Sequence, residues 1–320
     1  QGKDGQKRFA RVKVPPSLPQ LAPVKRSSGG HRKNGTSPRR HYFVWLDQLI
    51  QANLASLFPG MEVLESHAFH ITRNSDTEIQ ELEAPDLLDV IEESVRKRRF
   101  GAVTRLMIHR NMTPEAKKIL VENLKVDPND IYALAGPLAL SSLMELTRVD
   151  RYDLKDRPFL AYVPPVLRSG EAEDDEYIFH AIRQGNIMLH HPYDSFSPVV
   201  EFLRAAARDP NVLAIKQTLY RVGKNSPVVR TLLEASREYG KQVAVLVELK
   251  ARFDEESNIG WARALEQEGV HVTYGLWGLK PHSKIALVVR REGDHIRRYI
   301  HMSTGNYNHV TANLYEDIGM

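Results

Sequence analysis

Gly278-Leu279-Lys280-Pro281-His282-Ser283-Lys284, followed by the apolar run Ile285-Ala286-Leu287-Val288-Val289, is the stretch around which this 320-residue chain is organised. The run is short, β-branched and continuously apolar, so it reads as a buried strand. His282 and Lys284 stand two apart at its start, and on a strand residues two apart point to the same side. An imidazole and an ammonium are therefore expected to project together from a strand edge beside a Gly-Pro loop. That pair suits a substrate rich in negative charge: the imidazole can attack as a nucleophile and the ammonium can hold the anion. A histidine at a strand entry beside a solvated lysine is the plain alternative, because so short a motif recurs by chance. The rest of the chain decides between them.

Around this stretch, from Asn186 onward, strands and helices alternate. Ile187 to His190 reads as a strand. Ser197-Pro198 opens a helix with Val199, Phe202, Leu203 and Ala206 on one face, and Asp209-Pro210 stops it. Val212 to Gln217, Gln242 to Leu249 and Val270 to Tyr274 read as strands. Between them lie a helix running from Ser226-Pro227 to Gly240 and another from Asn258 to Gln267. Ile285–Val289 and Ile296–His301, joined by Glu292-Gly293-Asp294, read as a hairpin. Repeated strand–helix–strand units predict an α/β domain with a mostly parallel sheet.

In such a sheet ligands gather at the carboxyl ends of the strands. Lys216-Gln217-Thr218-Leu219-Tyr220-Arg221 ends one strand, and Glu248-Leu249-Lys250-Ala251-Arg252-Phe253-Asp254-Glu255-Glu256 ends the next. Ser303-Thr304-Gly305-Asn306-Tyr307-Asn308 follows the hairpin and offers small and amide residues to an anion. Arg221 and Arg252 can each grip a phosphate with a bidentate fork, and Lys284 adds a point charge. Any one arginine is ordinarily a solvated surface residue. Several basic and amide groups converging on one histidine point to a site.

The first half carries less chemistry. Phe9 to Val14 alternates like a strand, and Lys25 to His41 is a basic loop without apolar period. Residues 42–160 read as α+β. Phe43 to Phe58 has helical spacing, and Pro85 to Val95 puts Leu87, Leu88, Ile91 and Val95 on one face. Arg96-Lys97-Arg98-Arg99 follows, where the helix dipole favours positive charge. Ala102 to His109 alternates like a strand, and Thr113-Pro114-Glu115 starts a capped helix. The acidic stretch Ser169 to Glu176 marks a boundary, giving domains 1–168 and 169–320.

Composition sets the outer limits. The chain is 42% hydrophobic and 26% charged, ordinary for a globular protein, and carries a net charge of +4 that favours anionic partners. It has no cysteine, which excludes disulfides and thiolate metal sites. There is no transmembrane run and no secretory pattern. Beginning Gln1-Gly2-Lys3 and stopping at Gly319-Met320 just after a motif-rich stretch, it reads as a piece of a longer protein.

His282-x-Lys284 with Ser303-Thr304-Gly305-Asn306 resembles the phospholipase D superfamily, in which a histidine attacks phosphorus. The resemblance to one branch is closer. Leu189-His190-His191-Pro192-Tyr193-Asp194-Ser195-Phe196, Ile215 to Arg221, Val247 to Glu256, Gly278 to Lys284 and Ser303 to Asn308 are similar to bacterial polyphosphate kinases of the phosphohistidine-forming type. These blocks span residues 186–320 almost continuously, while residues 1–168 resemble that family's head domain in order and length. The resemblance implies a phospholipase-D-like α/β domain preceded by an α+β head domain. It implies transfer of the ATP γ-phosphoryl to His282 and on to inorganic polyphosphate, reversibly. It matches Tyr315 to a tyrosine at the nucleotide, and Arg221 and Arg252 to the magnesium–phosphate site. A guanidinium has no lone pair, so these arginines are expected to hold phosphate oxygens that bind Mg²⁺. Lys284 and Asn306 join the catalytic set from superfamily geometry.

The wider superfamily places an aspartate five positions after the lysine, where this chain has Val289; Glu248 is the candidate carboxylate to orient His282 instead. The resemblance further implies an amino-terminal domain and a second carboxyl-terminal domain as partners, a homo-oligomer in the cytoplasm, with peripheral membrane association also considered, and an inactive isolated piece. The rivals are a phospholipase-D-type phosphodiesterase or nuclease, and a basic nucleic-acid-binding module. The second needs aromatic residues interleaved with basic ones on one face, and only Tyr220-Arg221 and Arg252-Phe253 hint at that.

Overall fold

The computed structural model describes residues 5–24, 40–75, 87–168, 176–275 and 280–320. Contacts divide the chain into two compact units, residues 1–76 with 100–157, and residues 77–99 with 158–320. The expected basic loop lies almost wholly outside the described residues, as do the acidic stretch 169–175 and Gly278-Leu279 of the leading motif.

Elements are numbered in chain order. In the first unit β1 (Leu21–Pro23) pairs antiparallel with β2 (Phe43–Trp45), and α1 (Leu46–Ala52) and α2 (Leu54–Leu57) follow. The expected strand Phe9–Val14 is not one: it has no regular structure, and Phe9 and Val12 are exposed. The helical reading of 43–58 holds only after its first three residues. β3 (Phe69–Arg73) pairs antiparallel with β4 (Val103–His109), which pairs parallel with β5 (Ile131–Leu134). The intervening α4 (Pro114–Leu124) is capped as expected, the Thr113 hydroxyl accepting from the Ala116 N–H at 3.3 Å. Val103, Leu106, Ile108, Leu120 and Val126 form this unit's core.

Helix α3 (Leu87–Lys97) packs in the second unit, although the sequence reading grouped it with the first half. Its Leu88 and Ile91 enter that unit's core. The elements that follow are α5 (Glu176–Gln184), β6 (Leu189–His191), α6 (Ser197–Arg208), β7 (Val212–Leu219), α7 (Pro227–Arg237) and β8 (Gln242–Val247). Then come α8 (Glu255–Gln267), β9 (His271–Tyr274), β10 (Lys284–Glu292), β11 (His295–Ser303) and β12 (Asp317–Gly319).

The α/β expectation holds, but the sheet is mixed and not mostly parallel. Its order is β6-β12-β11-β10-β7-β8-β9, and among the described residues only β7–β8 and β8–β9 pair in parallel. The hairpin β10–β11 turns at Gly293, whose positive φ of 59° glycine accepts without steric cost. Alternate residues, such as Ile215 and Leu219 on β7 or Ala286 and Val288 on β10, are buried in one core with Phe179, Leu203, Leu232 and Leu265 from the helices. Leu287, in register with Lys216 of β7, belongs to the other, half-exposed face.

Strand direction positions the motif. β10 runs antiparallel to β7, with Ala286 opposite Gln217. The amino end of β10 therefore lies beside the carboxyl end of β7, and Lys284 faces Ser303 at the carboxyl end of β11. Leu219 and Val247 pair at the ends of β7 and β8. The loops that begin Tyr220-Arg221, Glu248-Leu249 and Thr304-Gly305, and the His282 segment, thus share one edge of the sheet.

Candidate active site

His282 precedes β10 instead of lying on it, yet it meets Lys284: the lysine Nζ is 3.0 Å from His282 Nδ1 and donates to the His282 carbonyl at 2.5 Å. His282 is exposed and Lys284 is buried. The Lys284 charge, with a smaller share from desolvation and then from Arg221 and Lys280, holds the imidazole below its ordinary pKa. The shift favours the uncharged ring, the form that can act as a nucleophile. Burial likewise pushes the Lys284 ammonium below the usual lysine range, while the Asp317 carboxylate acts against that shift.

Tyr220 gathers the cations. Its ring meets the His282 ring edge-on at 4.9 Å between centroids, with Lys284 Nζ 5.1 Å and the Arg221 guanidinium 5.6 Å from the ring centre. Arg221 Nε also lies 3.8 Å from Asp254 Oδ2, and both its field and its ring contact place it with His282 and Lys284. Arg252 is exposed on the loop after β8, its guanidinium 5.6 Å from the Phe253 ring.

Glu248 does not orient His282. It is buried, with its carboxylate accepting from the Lys250 N–H at 2.8 Å, and burial raises its pKa. The carboxylate facing Lys284 is instead Asp317 on β12, which also accepts from the Thr304 hydroxyl at 2.8 Å. Gly305 is needed beside it, since a Cβ there would stand 2.5 Å from Asp317 Oδ2. Asn306 is half-buried next door, and its Oδ1 is enclosed without a partner among the described residues. Tyr315 is exposed just before β12. Tyr220 and Asp317 were missed as site residues: one was read only as a neighbour of Arg221, the other lies on a strand too short to leave a pattern.

Two family models match, "Polyphosphate kinase middle domain" over residues 1–146 and "Polyphosphate kinase C-terminal domain 1" over 177–320. The chain belongs to the polyphosphate kinase family. Among its relatives, Polyphosphate kinase 1 of Chlorobaculum tepidum is 52% identical over 98% of this chain and 43% of its own length. The polyphosphate kinase of Mycobacterium tuberculosis H37Rv is 51% identical over the whole of this chain and 43% of its own. The crystal structure of polyphosphate kinase from Porphyromonas gingivalis superposes with a TM-score of 0.66 at 27% identity, covering 94% of this chain and 41% of that one. The chain thus spans less than half the length of the family members it matches.

In this polyphosphate kinase family member the donor chemistry suits phosphate and not a resident cation. Arg221, Arg252 and Lys284 donate hydrogen bonds and offer no lone pair while charged. Among the described residues no three His, Cys, Asp or Glu side chains gather as a metal site. Also among them, no helix is long and apolar enough to cross a membrane.

Proposed function

We propose that the full-length protein carrying this chain transfers the γ-phosphoryl group of ATP to inorganic polyphosphate, reversibly, through a phosphohistidine at His282. The observation that carries this reading is an exposed imidazole whose Nδ1 lies 3.0 Å from the Nζ of a buried lysine, with Arg221 gathered on the same tyrosine ring. A ring nitrogen of His282 bonds to the γ-phosphorus as the bond to the β–γ bridging oxygen breaks and ADP leaves. The terminal phosphate of the polymer then takes the phosphoryl group from the histidine. Phosphoryl transfer of this kind depends chiefly on alignment and on charge placed where oxygen charge develops. Lys284 and Arg221 supply that charge, Arg252 holds phosphate further along, Asn306 adds an amide, and Tyr315 contacts the nucleotide. Mg²⁺ enters as part of the nucleotide substrate, on phosphate oxygens. The same reading keeps a head domain followed by a catalytic domain, with α3 and residues 158–168 counted with the latter, in whose unit they pack, and with them further domains of the same protein as partners, a homo-oligomer and a cytoplasmic location.

The test uses the full-length protein with ATP labelled at the γ-phosphate. Acid-labile label on the His282 peptide, lost in His282→Ala together with polymer synthesis, is expected. Substantial synthesis by His282→Ala refutes the nucleophile. Hydrolysis of a phosphodiester without ATP-dependent labelling favours the phosphodiesterase reading.

A further inference from the structure

The paired ladder of β7 and β8 ends at Leu219 and Val247. One more backbone bond, Glu248 N–H to the Leu219 carbonyl at 2.9 Å, closes it. Beyond that point the two chains separate into loops, one carrying Arg221 and the other Arg252. Their next carbonyls are taken up by one side chain of helix α8. Asn258 is fully buried, and its Nδ2 donates to the Tyr220 carbonyl at 2.6 Å and to the Glu248 carbonyl at 2.9 Å. Both N–H bonds of one amide nitrogen are used, one on each loop. A hydroxyl has a single proton and a carboxylate none, so among side chains of this size the primary amide fits the task.

The same two turns of α8 hold the first loop again. The Ser257 hydroxyl and the Trp261 indole N–H both donate to the Gly223 carbonyl, at 3.3 and 2.9 Å. Gly223 has a positive φ of 73°, and a Cβ there would stand 3.0 Å from Asn308 Nδ2, so this loop also abuts the segment that follows β11. The helix itself is fixed to α3 and the turn after it. Arg98 pairs with the buried Glu255 at 2.7 Å, and Arg263 pairs with Glu92 at 2.5 Å.

We infer that Asn258 is a positioning residue: its amide sets the Arg221 and Arg252 loops in one common frame, so that both guanidinium groups meet the phosphates of a single substrate. The inference rests on the phosphate-site reading of the two arginines. A side chain that merely satisfies two buried carbonyls would affect stability alone. One that sets a frame couples to the arginines, because a misplacement of about an ångström can cost a hundredfold in a reaction that depends on alignment.

The experiment uses the full-length protein and inorganic tripolyphosphate as the probe, with affinity measured by calorimetry. Asn258→Ala is expected to lose at least about tenfold in affinity. In the Arg221→Lys background the same change is expected to cost less than about threefold, since the arginine's alignment is already spent. Asn258→Ser, which keeps one donor, serves if the alanine variant does not fold, and is expected to fall between it and the wild type. Val243→Ala, in the core at the far end of β8, provides a destabilised control that keeps wild-type affinity. Wild-type affinity in the Asn258 variants, or losses that multiply with Arg221→Lys, overturns the inference.

Hydrogen exchange separates it from the reading beneath it. Amides of residues 221–224 and 249–253 are expected to exchange faster together in the Asn258 variant, while those of 214–217 stay protected. If Arg221→Lys and Arg252→Lys both bind tripolyphosphate as the wild type does, the phosphate-site reading falls. The exchange data then judge Asn258 alone, and a change in only one loop or in neither overturns the common frame.

Discussion

Replacing Gly305 by alanine adds one methyl group at the most crowded point of the site. That carbon would stand 2.5 Å from Asp317 Oδ2, 2.6 Å from its Cγ and 2.8 Å from its Cβ, all well inside ordinary contact. Asp317 cannot swing clear as a long side chain would, because its own Cβ is among the atoms met. Its backbone is tied by β12 pairing to His191, and its carboxylate by the Thr304 hydroxyl at 2.8 Å. One strand must therefore shift by about an ångström. Overpacking of this kind costs about 1–3 kcal/mol. The hydrogen bond from Thr304 lies at the exposed edge, and its loss adds about 1 kcal/mol. Urea unfolding of the chain is expected to show Gly305→Ala destabilised by about 2–4 kcal/mol. Asp317→Gly removes all three atoms, so in that background the alanine should cost less than about 1 kcal/mol, a coupling of at least that size. A single-variant cost below about 0.5 kcal/mol, or an equal cost in both backgrounds, refutes the steric argument.

Arg221→Lys and Arg252→Lys in the full-length protein keep the charge but lose the fork, and each is expected to cost about 2–4 kcal/mol in kcat/KM for ATP; near-wild-type rates in both would put them outside the site. Lys284→Met removes the first cause of the depressed His282 pKa, so the acidic limb of the activity that survives is expected to move to higher pH; an unmoved limb would mean that another group governs it. His301 is held at about 4 against 6.5 by burial and then by the nearby His191 charge. The unfolded chain takes up that proton first as pH falls, so stability is lost between about pH 6.5 and 4, by about 3 kcal/mol in all, and no further below. His301→Gln should flatten that part of the stability profile, and an unchanged slope in urea midpoints would contradict it.

Much of the second unit was legible because its helices and strands carry strong local signals. Ser226-Pro227 opens α7 with the Ser226 hydroxyl accepting from the Val229 N–H at 3.3 Å, and the apolar run 285–289 is a strand as read, although its residues alternate between buried and half-buried where a continuous apolar run suggests burial on both faces. Phe9 to Val14 shows the limit of such signals. Its alternation meets the period of a strand, but a strand also needs a neighbour, and among the described residues none pairs with it. Asp317 shows another limit. Three residues of β12 carry no readable period, and Asp317 nears Lys284 only because β11 pairs with β10 on one side and β12 on the other.

Strand direction is the property that periodicity leaves out, and here it makes the site. Residue patterns mark β7, β8 and β10 as strands but are the same whichever way each runs. Taken as parallel throughout, the sheet would put His282, at the amino end of β10, at the edge opposite Arg221 and Glu248. Convergence is therefore compatible with the predicted hairpin only if β10 is its antiparallel member. The structure has that arrangement: β10 runs against β7, and Lys284 reaches the edge where Leu219 and Val247 end. The hairpin turn at Gly293 then returns β11 so that Ser303 also ends there. A histidine that begins its strand and arginines that follow theirs can share one substrate only in a mixed sheet, so the antiparallel placement of β10 is a condition of the chemistry proposed for His282.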